Sequence, residues 1–137
     1  MTPNKPGFFE RALRFSFLIA SAAGFFRVYG AIVYRAEILE FSRRAWLPAF
    51  LIAAGGLMGL FSLCVWLLLK LKPKPPAWLP WAGVLVSIAA YWSERLFLWA
   101  PAQRNVNTLW MIGVHLVWLL LAAASCLQTK RRLNEHD

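Results

Sequence analysis

Apolar positions along the chain gather into four long runs separated by short polar breaks. Crossing a hydrocarbon core of about 30 Å takes about 20 predominantly apolar helical residues. Residues 46–69 contain no charge before Lys70, and residues 109–127 none before Lys130. Both stretches predict membrane-spanning helices. A third run, residues 78–100, is apolar from Trp78 to Ser93, is broken by Glu94 and Arg95, and resumes at Leu96. Its Pro80 falls in the first turn, where a missing N–H costs little. The first run is the weakest. Phe15 to Phe26 is apolar, Arg27 intervenes, and Val28 to Tyr34 follows. Lys5, Arg11 and Arg14 ahead of that core, with Ala20-Ser21-Ala22-Ala23 inside it, also resemble a signal peptide. A full span over residues 15–34 is the preferred reading.

The breaks are consistent with tight connections. Lys72-Pro73-Lys74-Pro75-Pro76 cannot be helical throughout and reads as a stiff hairpin turn. Between the first two runs, Ile38, Phe41 and Ala45 share a helical face, and Glu40 with Arg44 has i,i+4 spacing. A helical extension or a short interfacial helix is expected there. Asn107 or Thr108 is the expected N-cap of the last span. Trp46, Trp78, Trp81, Trp99 and Trp110 lie near span boundaries, as interfacial tryptophans do.

Basic residues set the orientation. With four spans, one side holds Lys5, Arg11, Arg14, Lys70, Lys72, Lys74, Lys130, Arg131 and Arg132. The other holds Arg35, Arg43, Arg44 and Arg104. The richer side is cytoplasmic by the positive-inside rule. A three-span reading splits the densest clusters, so the asymmetry itself supports counting the first run. The expected fold is an all-α integral membrane four-helix bundle with short loops. It forms a single domain over residues 1–137, with both termini inside and a plasma (inner) membrane location.

Composition agrees. Of 137 residues, 60% are hydrophobic and 15% charged, against about 25% charged in a typical soluble domain. The net charge of +9 reads as topology signal and contact with anionic headgroups, since no nucleic-acid-binding motif accompanies it. Cys64 and Cys126 lie inside apolar runs and form no C-x-x-C pair, so they read as small buried hydrophobes.

Small residues mark where helices approach closely, because lipid gives apolar helices little reason to associate otherwise. Gly55 and Gly59 are four apart in the second run, Gly83 and Ser87 in the third, and Ala20 and Gly24 in the first. They predict packing inside one bundle, with a homo-oligomer contact through Gly55 and Gly59 as the alternative.

Charge at membrane depth is where function is expected first. Arg27, Glu94 and His115 all fall in the outer half by register, and form the candidate intramembrane polar cluster. Arg27 and Glu94 lie at similar depth and are expected to pair, leaving Arg95 to reach the outer headgroups. His115 is expected to be a hydrogen-bonded packing histidine. As a haem ligand it lacks a second axial partner, since Met111 is a turn away on the same helix and His136 lies in the tail. No catalytic, cofactor-binding or metal-binding set is visible. The expected partners are the lipid bilayer and another membrane protein or a second copy, not nucleic acid. The leading functional expectation is an accessory or scaffold subunit of a larger membrane assembly, and not an enzyme. The alternatives are a small oligomeric transporter or channel, and a lipid-, quinone- or haem-binding subunit.

Overall fold

The computed structural model describes residues 7–71, 75–99 and 105–134, with side chains through Arg131. Lys5, Lys72, Pro73, Lys74, Arg104 and His136 lie outside the described residues, as do the side chain of Arg132 and the start of the loop ahead of the last helix. The described chain is all-helical. Its helices are α1 (Phe8–Val33), α2 (Arg35–Ser42), α3 (Leu47–Leu71), α4 (Trp78–Leu98) and α5 (Thr108–Asn134).

Three of the five, α1, α3 and α5, are long and apolar enough to cross a membrane. The first run, the weakest in the sequence, is therefore among these three, and the third run is not. The first run starts about two turns earlier than expected, because Phe8 and Phe9 extend it and Glu10 pairs with Arg14 across one turn. An acidic residue in the first turn also suits the positive end of the helix dipole. The third run forms a helix of 21 residues, about 31 Å at 1.5 Å per residue. It has the length to span, but Glu94 and Arg95 near its end keep it from the apolarity of the other three.

The segment between α1 and α3 is helical for eight residues. The hydrogen-bond ladder runs almost unbroken from α1, with the Tyr34 N–H on Gly30 and the Ile38 N–H on Tyr34. It stops at Arg43, which takes a left-handed conformation at φ 53°. That conformation takes Arg44 off the helix, so the expected Glu40–Arg44 pair does not form. The Arg44 guanidinium instead lies over Trp46 and donates to the Leu98 carbonyl. Asn107 also has positive φ, 58°, and its carbonyl accepts the first helical bond of α5, from Met111. Asparagine is among the non-glycine residues that tolerate this region best.

The core cluster lies near one end of the helices. It joins Leu13 and Phe17 of α1, Val65 and Leu69 of α3, Leu79 and Val84 of α4, and Ala122 of α5. The N-terminal halves of α1 and α4 thus meet the C-terminal halves of α3 and α5. At the other end, Arg27 of α1 meets Glu94 of α4, and Arg95 meets Thr108 at the start of α5. Successive long helices therefore alternate in direction.

Candidate functional site

The scaffold of the site is the contact between α1 and α3. A Cβ added at Gly24 would lie 2.6 Å from the Gly59 nitrogen and 2.8 Å from the Gly55 carbonyl oxygen. Only hydrogen fits there, so two helix backbones touch. The Ser21 hydroxyl donates to the Gly59 carbonyl at 2.9 Å, a bond between helices on the same seam. Gly55 and Gly59 are both buried against α1, so the surface considered for a homo-oligomer contact is occupied within the chain. Gly83 has a parallel role on α4. A Cβ there would meet the Phe17 ring at 2.6 Å, and that ring is fully buried and lies against Trp118. Ser87 is buried and donates to the Gly83 carbonyl at 2.8 Å.

With α1 fixed against α3, Arg27 faces α4. Its guanidinium grips Glu94 with both prongs, Nη1 to Oε2 at 2.6 Å and Nη2 to Oε1. Bidentate pairing of this kind is directional as well as strong. It fixes the rotation of α4 about its own axis.

Arg95 does not reach the outer headgroups. It is 2% exposed. Its Nη1 donates to the Tyr91 hydroxyl, and its Nη2 to the Val106 carbonyl and to the Thr108 hydroxyl. The rings of Tyr91, Trp92 and Trp99 lie 5.0–5.8 Å from its guanidinium carbon. Three aromatic faces and a free loop carbonyl make an interior site for a cation. Helical register shows that Arg95 points away from Glu94. It does not show that the loop before α5 folds back to cover it.

His115 is buried at 7% exposure. The Trp92 indole N–H donates to its Nδ1 at 3.1 Å, and the Tyr91 ring lies edge-on at 5.1 Å. With Nδ1 accepting, the neutral imidazole carries its proton on Nε2. Arg27, Glu94 and His115 thus occupy one region, but His115 joins it through Trp92 and Tyr91 rather than by touching the ion pair. Tyr91, Trp92 and Arg95 complete the site. Position on one face of α4 was the available signal for Tyr91 and Arg95, which are four apart.

Between α1 and α5 runs a cavity of about 460 Å³, floored by α3 and α4. It extends along α1 from Ser16 to Arg27 and along α5 from Met111 to Leu121. A second cavity of about 390 Å³ touches Glu94, Leu98 and Val106. The Arg27–Glu94 pair stands between the two, with one partner lining each. Among the described residues, no group of three His, Cys, Asp or Glu side chains is arranged to hold a metal ion. Comparison with protein-family models, curated proteins and solved structures finds no match.

Proposed function

We propose that the chain is a four-span protein of the plasma membrane, with both termini cytoplasmic, acting as an accessory or scaffold subunit of a larger membrane assembly and catalysing no reaction. The observation that carries this reading is that its deep charges are bonded to one another and to the fold. Arg27 is held by Glu94, and Arg95 by Tyr91, Val106 and Thr108. Such groups lock helix register and present no reactive atom. Charge distribution supports the orientation. The helix ends around Leu13, Leu69 and Leu79 carry Arg11, Arg14, Lys70, Lys130 and Arg131, and the opposite ends carry Arg35, Arg43 and Arg44. A span for α4 is supported by its direction, parallel to α1 from Phe17–Gly83 to Arg27–Glu94. Gentle-detergent purification with crosslinking and native mass spectrometry tests the reading. A defined heteromeric complex is expected. A lone monomer with no crosslinked partner overturns it.

A second reading, a small oligomeric transporter, draws on the two cavities that meet at the Arg27–Glu94 pair. Weighing against it, Leu13, Phe17, Val65, Leu69 and Val84 pack the cytoplasmic half of the interior, where the buried polar side chains among the described residues are the neutral hydroxyls of Ser62 and Ser125. Liposome flux that vanishes when Arg27, Glu94 and His115 are neutralised together would favour it.

A further inference from the structure

The cavity between α1 and α5 has the dimensions of a single lipid tail. Ser16 to Arg27 along α1 and Met111 to Leu121 along α5 each correspond to a slot of about 15–17 Å at 1.5 Å per residue. The volume of about 460 Å³ lies within the usual range for small-molecule sites, about 300–1,000 Å³. It is too small for a partner helix. A helix of that length and about 10 Å across fills more than about 1,000 Å³. Its walls are Ala20, Ala23, Val114 and Val117, with Met58 and Met111 as adaptable side chains.

Polar groups along the slot are satisfied within the chain except at one end. At the inner end, the Trp118 indole donates to Ser16, and Ser16 donates to the Leu13 carbonyl. At the middle, Ser87 donates to Gly83. At the outer end, the Tyr91 hydroxyl accepts from Arg95, and its own proton has no acceptor among the described residues. His115 is in the same state: Nδ1 accepts from Trp92, and the Nε2 proton has no acceptor among them. Arg27 closes that end with its charge already balanced by Glu94. The residues lining the head end therefore offer hydrogen-bond donors, and the one charge among them, on Arg27, is balanced by Glu94; Arg95 lies behind Tyr91, outside the lining. It matches an uncharged head that accepts, and the lining offers an anion no unbalanced cation.

We infer that this slot binds a single-tailed, uncharged lipid with a carbonyl head, the head between Tyr91 and His115 and the tail running inward between α1 and α5. Two membrane sources share that chemistry, an isoprenoid-type quinone and a monoacyl ester. The site stands independently of any partner protein.

The test is titration of the full chain in micelles with decyl-benzoquinone, monodecanoylglycerol and decyl phosphate, read by native mass spectrometry. One of the two carbonyl compounds is expected to saturate at one per chain, and the tighter of the two names the source. Ala23→Phe fills the exposed wall of the slot and is expected to weaken binding by on the order of tenfold. Val117→Phe on the opposite wall does the same should the first variant not fold. Tyr91→Phe removes one donor, for a loss of roughly three- to tenfold. Tighter binding of decyl phosphate than of either carbonyl compound overturns the inference. So does unchanged affinity in a folded wall variant.

Discussion

Arg27 and Glu94 are 67 residues apart in the chain and close on each other through both guanidinium prongs, with Nη1 and Oε2 at 2.6 Å. Each is the counter-charge of the other. Lone charges in a hydrocarbon setting cost about 2.5–3.5 kcal/mol at mid-helix, and a pair broken from one side costs more than a pair removed whole. Glu94→Leu is therefore expected to destabilise the protein by about 3 kcal/mol. Arg27→Leu with Glu94→Leu should return to within about 1 kcal/mol of the parent. Reversible unfolding in mixed micelles measures both. A loss in the double variant equal to the sum of the losses in Glu94→Leu and Arg27→Leu alone would show that the two side chains are not coupled.

Gly24 makes the sharpest steric prediction. Its neighbours at 2.6–2.8 Å are backbone atoms of Gly55 and Gly59, which cannot rotate away. Gly24→Ala is expected to cost about 1–3 kcal/mol by forcing α1 from α3. Gly113→Ala on α5 meets nothing within 4 Å, and should gain about 0.5–1 kcal/mol from helix propensity alone. Thermal unfolding of the two variants side by side checks the contrast.

Arg95 is held by geometry that lysine cannot reproduce. Separate nitrogens of one planar group reach Tyr91 on one side and Val106 and Thr108 on the other. Arg95→Lys is expected to lose about 2–3 kcal/mol despite conserving charge. Thr108→Val removes one of these bonds, for about 1 kcal/mol. Melting temperatures in the same detergent rank the two.

Two buried serines should respond in opposite directions. The Ser21 hydroxyl bridges to the Gly59 carbonyl, so Ser21→Ala is expected to lose about 1 kcal/mol. The Ser62 hydroxyl is fully buried with no hydrogen-bond partner. Ser62→Ala should then be neutral or stabilising by up to about 1 kcal/mol. Denaturant midpoints of the two variants give the signs.

What the sequence made legible was periodicity and depth. Uncharged runs marked α3 and α5, and the register that put Arg27 and Glu94 at one level relied on nothing but helix rise. The spacing of Gly55 and Gly59 marked a close approach, though not that Gly24 would be its other half. Features that depend on loop paths were not legible. Arg95 is caged because the turn at Asn107 brings the Val106 carbonyl back over α4, and no pattern of apolar positions encodes that return. The left-handed Arg43 hid the end of α2 in the same way, since arginine gives no turn signal. The indole bonds from Trp92 to His115 and from Trp118 to Ser16 join different helices. Trp92 and Trp118, which are not among the boundary tryptophans, thus serve as interior donors.

In the proposed four-span arrangement α4 crosses the membrane alongside α1, held by the Arg27–Glu94 pair. Single cysteines at Arg43, Ala77 and Asn105, in a chain with Cys64 and Cys126 replaced by alanine, test it by labelling intact cells with a membrane-impermeant maleimide. Labelling from outside is expected at 43 and 105, and at 77 only after the cells are opened. Positions 77 and 105 labelling from the same side would contradict it, because α4 would then return to the surface from which it started.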